Sequence, residues 1–436
     1  MWKNHFGSIV ATFFDEIGEQ PLSTEKLWSE SCPYCRQSVQ ERPAEGDGPA
    51  AATELAAASV SAVARTQNLG FIRDTSTSVI KYLGSKRNLV PVLGAMARAL
   101  GAGSAVDLFA GTTRVAQELK RGGVDVTAVD IATYTEVLAR CFIATDADAV
   151  DVEAVTAALS ELSALPGEAG YFTRTFCEDA RFFQPKNGMR VDAIRTVIEE
   201  RHAGSPLYPI LLTSLLLAAD RVDSTAGVQM AYLKQWAPRS HNDLELRVPD
   251  LLPGPGRAIR GDALEVARVL PRVDLAYVDP PYNQHRYFTN YHVWETLVRW
   301  DAPEHYGVAC KRVDSRDPQT KSIFNRRREM PHALRDLLTS LSADTVLVSY
   351  NDEAWVSPTE IATWLREAGH RDVRMLGFDS KRYVGAQIGI HDPLGRKVGT
   401  VSHLRNTEYV VVAGEADAVE AATAAAVECR PSVLAG

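Results

Sequence analysis

Short apolar segments that alternate with helical segments are the feature that most constrains how this chain can fold. Residues 105–109 and 124–129 have the pattern of buried strands, and a segment with helical spacing lies between them. The strand pattern returns at residues 258–262 and 274–279. Strands that alternate with helices form a parallel sheet that is covered on both faces. The sequence therefore predicts an α/β fold whose sheet is interrupted between its second and third strands.

The chain of 436 residues is long enough for two or three domains. Residues 41–66 are rich in alanine, glutamate, glycine and proline, which is typical of a linker. We expect an antiparallel hairpin within residues 397–414 and a peripheral helix in the alanine-rich tail. The predicted regions are an N-terminal extension and linker (1–75), a catalytic α/β domain (76–132 and 258–414), a helical insertion (133–257) and a C-terminal tail (415–436).

The composition excludes several classes of protein. No stretch reaches the roughly 20 apolar residues of a membrane span, and the N-terminus lacks the pattern of a signal peptide. Six dispersed cysteines do not form a disulfide framework. A structural zinc site needs four ligands and the Cys32–Cys35 pair would supply only two, so we interpret the pair as two reduced thiols; a zinc site is the alternative. We expect a soluble cytoplasmic protein without a bound metal. Because the net charge is −8, nucleic acid could bind only where basic residues cluster.

The motif Asp279-Pro280-Pro281-Tyr282 ends the fourth predicted strand. Pro280 has no N–H group, so the Asp279 carboxylate and the Pro280 carbonyl are two acceptors without a competing donor. Two adjacent acceptors suit an exocyclic amine, and Tyr282 offers a flat face on which an aromatic ring can stack. We interpret the motif as a clamp for an aromatic amine. The alternative is a proline-rich turn that only closes the strand.

The turn after the first strand contains the small residues Ala110, Gly111 and Thr112, which allow a ligand to approach the backbone. A dinucleotide site usually has the pattern G-x-G-x-x-G, whereas Gly111 is the only glycine here. This departure favours a nucleoside ligand without phosphates, such as S-adenosylmethionine. Asp130 ends the second strand, where a carboxylate can bind ribose hydroxyls. The alternative is an ordinary strand–helix turn with an exposed acid.

Three further residues are weaker candidates when each is taken alone. Asp262 could accept a hydrogen bond from the amino group of adenine, although an acid at this position is also a good helix N-cap. Tyr82 and Lys86 precede the first strand, and Lys86 could pair with the carboxylate of an amino-acid-like cofactor. The alternative for this segment is a surface turn before a helix.

Together, the order Y-x-G-x-K, D-L-F-A-G, G-D-A and D-P-P-Y resembles the D12 class of DNA N6-adenine methyltransferases, which includes the Dam enzymes. The resemblance runs from about Ser78 to about Gly414. It implies a Rossmann-like class I methyltransferase sheet with a helical target-recognition insertion at residues 133–257. It also implies methyl transfer from S-adenosylmethionine to N6 of an adenine flipped out of double-stranded DNA.

The resemblance assigns residues to both ligands. The implied catalytic residues are Asp279, Pro280, Pro281 and Tyr282. The implied cofactor-binding residues are Tyr82, Lys86, Asp107, Phe109, Ala110, Gly111, Thr112, Asp130, Asp262 and Ala263.

Candidates for DNA contact lie in the insertion and in residues 311–330, which contain seven basic and three acidic residues. We interpret this basic segment as a mobile loop near the clamp that meets DNA phosphates; the alternative is a solvated loop. Asn187, Ser224 and Thr225 are candidates for contacts with base edges; the alternative is that each is an ordinary surface residue. The DNA-binding candidates are Arg181, Lys186, Arg221, Thr225, Lys234, Lys321, Arg326 and Arg327.

Other functions stay open at this point. An N4-cytosine or an RNA-adenine methyltransferase would use the same clamp, and a non-catalytic DNA-binding subunit of a restriction-modification system could keep the fold. The acid at the first clamp position and the Tyr82–Lys86 element favour DNA adenine, and the intact motifs favour an enzyme. The sequence leaves open the recognition site, the oligomeric state and whether a cognate restriction endonuclease is a partner.

Overall fold

The computed structural model describes one compact unit within residues 71–436. The predicted N-terminal extension, the Cys32–Cys35 pair and Lys234 lie outside the described residues. The described residues are 80–84, 86–230, 232–233, 235–282, 286–381, 390–391, 397–399, 405–429 and 434–435.

Helices flank the main sheet and form most of the insertion. Two of them continue as π-helical turns, Arg140–Ala144 and Arg174–Asp179. In chain order the α-helices of the described part are α1 (Val90–Ala99), α2 (Arg114–Arg121), α3 (Thr133–Ala139), α4 (Val152–Ala164), α5 (Tyr171–Thr173), α6 (Pro185–His202), α7 (Tyr208–Arg221), α8 (Ala263–Val269), α9 (Tyr287–Asn290), α10 (His292–Arg299), α11 (Met330–Ser340), α12 (Pro358–Glu367) and α13 (Ala416–Cys429).

The strands of the described part form one large sheet and two small ones. The strands are β1 (Ser104–Asp107), β2 (Asp125–Asp130), β3 (Gly256–Arg260), β4 (Val273–Val278), β5 (His305–Tyr306), β6 (Lys311–Arg312), β7 (Ala343–Asn351), β8 (Asp372–Lys381), β9 (Ile390–His391), β10 (Lys397–Gly399), β11 (Arg405–Gly414) and β12 (Leu434–Ala435). The large sheet has the order β12-β8-β11-β7-β4-β1-β2-β3, and β5–β6 and β9–β10 are separate antiparallel pairs.

The strand order determines where a ligand can bind. From β1 the chain moves outward through β2 and β3 and then returns to β4, which pairs in parallel with both β1 and β7. The direction in which successive strands are added to the sheet reverses between the neighbouring parallel strands β1 and β4. Open α/β sheets bind ligands at such a switch point, beyond the carboxyl ends of the strands. β4 lies in the middle of the sheet, and Leu275, Ala276 and Val278 are fully buried in it.

The predicted interruption of the sheet is confirmed, because α4, α6 and α7 lie between β2 and β3. Arg195, which is buried on α6, links the insertion to α10. Its guanidinium donates to the backbone carbonyls of Leu297 and Val298 at the end of α10, both at 2.9 Å. A cation at the carboxyl end of a helix also interacts favourably with the helix dipole. None of the described helices is both long enough and apolar enough to span a membrane.

One prediction for the C-terminal region is wrong. Among the described residues of 397–414 the expected hairpin does not form, since β10 pairs with β9 while β11 pairs with β7 and β8. The predicted helix of the tail is present as α13. Val419, Ala422 and Ala426 are fully buried, and α13 packs against α1 and the sheet.

Candidate active site

Backbone hydrogen bonds hold the carboxyl ends of the parallel strands together at one edge of the sheet. The N–H of Ala110, in the turn after β1, donates to the Val129 carbonyl on β2 at 2.9 Å. The N–H of Gly261, after β3, donates to the Asp130 carbonyl at 2.9 Å. Because β1 also pairs with β4, all four turns singled out in the sequence converge on one site.

The turn after β1 is shaped around Gly111 and Asp130. Gly111 has a φ of +49°, and a Cβ atom there would lie 3.2 Å from the ring of Tyr82. The Asp130 carboxylate accepts from the N–H of Gly111 at 2.9 Å and from that of Ala132 at 3.1 Å. Burial raises the pKa of Asp130. Each carboxylate oxygen keeps acceptor capacity after these bonds, so Asp130 both fixes the turn and remains able to bind a hydroxyl.

A stack of tyrosines covers this turn. The Tyr82 ring lies 5.1 Å from that of Tyr287 and 4.7 Å from that of Tyr291, with nearly parallel planes. The Tyr291 hydroxyl accepts from the N–H of Leu83 at 2.5 Å. The sequence analysis missed Tyr287 and Tyr291, although their i, i+4 spacing directly after the clamp is the signal that could have identified them.

The clamp acid lies beside a buried cation. The Lys86 ammonium is 3.1 Å from an Asp279 carboxylate oxygen and 3.7 Å from a Glu408 oxygen. Burial raises the pKa of Asp279 to about 6, although Lys86 opposes this shift. Burial alone would lower the pKa of Lys86, but the Asp279 charge, with Tyr282 and Glu408, raises it above its usual value. At neutral pH the pair therefore consists of a carboxylate and an ammonium ion.

The other clamp residues follow Asp279 directly. Tyr282 is buried and packs edge-on against Tyr350, with ring centroids 5.3 Å apart, and the Lys86 ammonium lies 5.5 Å from its ring centre. Pro280 and Pro281 connect the strand to this ring. Glu408 was missed because it lies on β11, far along the chain, and only sheet pairing brings it to the clamp.

The remaining cofactor candidates lie at the carboxyl ends of β1 and β3. Asp107 is buried at the end of β1, and burial together with the Asp279 charge raises its pKa to about 8. Thr112 and Ala263 are buried. Asp262 caps α8 by accepting from the N–H of Leu264 at 2.9 Å, as its N-cap alternative predicts. The role of these residues toward a cofactor stays a prediction.

The basic segment is anchored to the site. Phe324 is buried and packs edge-on against Phe109, with centroids 5.1 Å apart. Arg312 is also buried, and its guanidinium is bound by the carboxylates of Asp301 and Asp314. The segment consists of β6 and three short 3₁₀ turns. It therefore borders the site, as expected from its position in the sequence, but as an ordered element fixed by buried residues.

Several DNA-contact candidates have internal partners. Asn187 and Ser224 are buried, and Thr225 is buried with its hydroxyl bonded to Asp223 at 2.5 Å. In this conformation these side chains are buried within the insertion. Their burial does not fit the predicted contacts with base edges. Lys186 pairs with Asp243 at 2.5 Å.

Three of the arginine candidates also have partners within the chain. The Arg181 guanidinium lies over the Trp236 ring at 4.7 Å. Arg221 donates to the Glu245 carbonyl at 2.6 Å, and Arg326 pairs with Glu329 at 2.9 Å. Arg327 is exposed. For the arginines, as for Lys186, the predicted DNA contacts stay predictions.

Lys321 belongs to a feature that the sequence did not reveal, a cleft of about 510 Å³ that we call the basic cleft. It is lined by Met230, Arg286, Thr289, Asn290, Tyr306, Lys311, Ser315, Arg316 and Lys321. Four of these residues are cationic and none is acidic. The Arg316 guanidinium lies 3.7 Å from the centre of the Tyr306 ring. The basic cleft therefore concentrates positive charge on a chain whose net charge is −8.

Comparison with known proteins gives a consistent result. The family model of the D12 class N6 adenine-specific DNA methyltransferases matches residues 82–362, more than half of the chain. The modification methylase StsI of Streptococcus sanguinis is 29% identical over 66% of this chain and 46% of its own length. The type II methyltransferase M.NlaIII of Neisseria lactamica is 27% identical over 67% of this chain and 90% of its own length. The chain therefore spans about half of the first relative and most of the second.

The sheet order is that of a mixed α/β protein with a class I methyltransferase fold. More particularly, the chain belongs to the D12 class of N6 adenine-specific DNA methyltransferases.

The geometry of the turn predicts the effect of Gly111→Ala. The substitution places a Cβ against the Tyr82 ring at a positive φ, so it should both strain the backbone and displace the tyrosine stack. We expect binding of S-adenosylmethionine, measured by calorimetry, to weaken at least tenfold.

Gly101→Ala is the matched control, because Gly101 has a φ of +61° and nothing lies within 4 Å of its Cβ position. It should cost about 1 kcal/mol of stability in urea unfolding and leave cofactor affinity unchanged. Equal affinities for the two variants would contradict the role assigned to the turn.

Proposed function

We propose that the chain transfers a methyl group from S-adenosylmethionine to N6 of an adenine that is flipped out of double-stranded DNA at a specific sequence. The observation that carries this proposal is the Asp279–Tyr282 clamp at the end of β4, next to the small-residue turn after β1. Relatives named as type II methyltransferases and modification methylases support it.

The cofactor proposal rests on the shape of the turn and on its donors and acceptors. The positive φ of Gly111 and the Tyr82 ring beside it form a narrow cradle that a side chain would fill. The carboxylates of Asp130 and Asp262 could accept from ribose and adenine, and Lys86 offers a cation for the carboxylate of the methionine part. S-adenosylmethionine supplies the electrophilic methyl group on its sulfonium.

The clamp prepares the target nitrogen for attack. The adenine amino group is a weak nucleophile because its lone pair is delocalised into the ring. When the Asp279 carboxylate and the Pro280 carbonyl accept its two N–H bonds, the nitrogen can become pyramidal and its lone pair is directed at the methyl group. Methyl transfer would break the bond between the methyl carbon and the sulfonium sulfur and leave S-adenosylhomocysteine. The nitrogen would then carry one proton too many, and Asp279 is the acceptor placed to take it.

Lys86 acts on the same carboxylate. Its ammonium, 3.1 Å from Asp279, stabilises the ionised form of a buried acid that burial would otherwise keep neutral. Glu408 shares the cation at 3.7 Å and limits its movement. We assign Lys86 a positioning role at the clamp in addition to the cofactor role that the family resemblance implies.

The basic cleft supports DNA as the substrate. A base inside a duplex is out of reach of the clamp, so the enzyme must extrude it and hold the distorted backbone. Arg286, Lys311, Arg316 and Lys321 line one cleft that lies between the insertion and the segment after the clamp. This arrangement suits phosphates next to a flipped nucleotide. A cytoplasmic location and a cognate restriction endonuclease as partner are parts of the same proposal.

Asp279→Ala tests the clamp directly. It removes the carboxylate acceptor, so we expect turnover to fall by at least about a thousandfold while S-adenosylmethionine still binds. The control is Asp274→Ala, at the opposite end of the same strand, where the carboxylate accepts from Gly103 and Ser104. Near-normal methylation of DNA by Asp279→Ala, measured by transfer of a labelled methyl group, would show that another group activates the amine.

The pKa of Asp279 predicts a pH dependence. Only the ionised carboxylate can take the proton that the amine loses on methylation, and burial raises the pKa of Asp279 to about 6. The value of kcat/KM should therefore be constant above that pH and fall about tenfold per pH unit below it. The slow residual reaction of Asp279→Asn should lack this acidic limb. A flat profile for the unmodified enzyme down to about pH 5 would argue against ionised Asp279 as the acceptor.

The basic cleft predicts a salt effect. Lys321→Ala removes one cation that would neutralise a phosphate, so the slope of log affinity against log salt should decrease in magnitude by about 0.9. Arg371→Ala is the control, because this exposed residue directly precedes β8 and does not line the basic cleft. Fluorescence anisotropy with a labelled duplex measures the salt slope of each variant. Equal slopes for Lys321→Ala and Arg371→Ala would contradict a contact between the basic cleft and DNA.

A further inference from the structure

Three different metal-ligating side chains converge at a place that the methyl-transfer site does not use. Asp179 ends the π-helical turn of the insertion, His305 lies on β5, and Cys310 lies in the turn between β5 and β6. One ligand atom from each of these residues lies within 4.8 Å of the other two. The His305 Nε2 and an Asp179 oxygen are 3.9 Å apart. We propose that these residues form a zinc site that joins the insertion to the β5–β6 hairpin.

The ligand types select the cation. A thiolate, an imidazole and a carboxylate suit Zn²⁺, whereas Mg²⁺ and Ca²⁺ take oxygen ligands. The usual Zn–S, Zn–N and Zn–O distances place ligand atoms about 3.4–3.6 Å apart in a tetrahedral site. A contraction of up to about 1.2 Å from the present spacing would satisfy this geometry, and water would occupy the fourth position.

The surroundings provide both a fixed anchor and a route of entry. Cys310 is buried, and its N–H donates to the Gly307 carbonyl at 2.9 Å, which holds the thiol inside the turn. The side chains of Asp179 and His305 are 61% and 30% exposed, so an ion can reach the sulfur from solvent. Burial and the Asp179 charge raise the pKa of the Cys310 thiol to about 11. Zinc binding would therefore release that proton to solvent as the Zn–S bond forms.

The position of the cluster suggests what the metal does. His305 is followed by Tyr306 and Cys310 by Lys311, and both following residues line the basic cleft. A metal bound to His305 and Cys310 would fix one wall of the cleft. Through Asp179 it would also fix that wall relative to the insertion. The inferred role of the metal is to join two elements of the fold, and the existence of the site does not depend on the reaction proposed above.

The test uses the full-length chain with Cys32→Ser and Cys35→Ser, which removes the other thiol pair that could bind zinc. We expect one equivalent of zinc per chain by mass spectrometry of the metal. Replacement by Co²⁺ should give a sulfur-to-cobalt charge-transfer band. Adding Cys310→Ser should abolish both signals, and adding His305→Ala instead should do the same. The second variant changes a partly exposed side chain, so it tests the site even if Cys310→Ser prevents folding.

Cys141→Ser is the matched control, because Cys141 is also buried and lies outside the cluster. It should leave zinc content and the cobalt band unchanged. Zinc that disappears with Cys32→Ser and Cys35→Ser alone, or that persists in both Cys310→Ser and His305→Ala, would overturn the inference.

Discussion

The 3.1 Å contact between the Lys86 ammonium and the Asp279 carboxylate is the interaction on which the site depends. It joins the segment before the first strand to the end of the central strand β4, and Tyr282 lies directly beside it. Removing one member of such a buried pair leaves an uncompensated charge, which typically costs about 3–5 kcal/mol. The same pair keeps Asp279 ionised at neutral pH, so one contact serves both the fold and the chemistry.

The strand order explains why this contact can form. The chain leaves the middle of the sheet at β1 and returns to it at β4, and the turns of both strands end at the same edge. The Asp130 carboxylate links the turn after β1 to the end of β2 through Gly111. The insertion leaves the sheet after β2 and returns at β3, so its helices interrupt the chain without separating the strands. The turn after β1 and the clamp are therefore neighbours in space although about 170 residues separate them in sequence.

Much of this could be predicted from the sequence because the informative signals are local. The strand-end motifs around Gly111, Asp130 and Asp279 each lie within a few residues of a strand, and topology brings strand ends together. The features that were not predicted depend on contacts between residues that lie far apart in the sequence. Glu408 reaches Lys86 only because β11 inserts between β7 and β8, and the same insertion is why the expected terminal hairpin is absent.

The DNA-binding surface shows the same limit. Predictions made from charge and polarity alone chose residues such as Lys186, which pairs within the insertion, and Thr225, which is buried. The basic cleft combines residues from Met230 to Lys321, and no single stretch of sequence contains its pattern. Burial and pairing decide which polar side chains face a ligand, and both are properties of the folded chain.

The most direct test of the central claim, that Asp279 holds an adenine amino group for methylation, is single-molecule modified-base sequencing of plasmid DNA from a methylation-free host that expresses this chain. We expect N6-methyladenine at one repeated sequence motif, and its absence when Asp279→Ala is expressed at the same level. N4-methylcytosine in place of N6-methyladenine, or an unchanged pattern with Asp279→Ala, would contradict it.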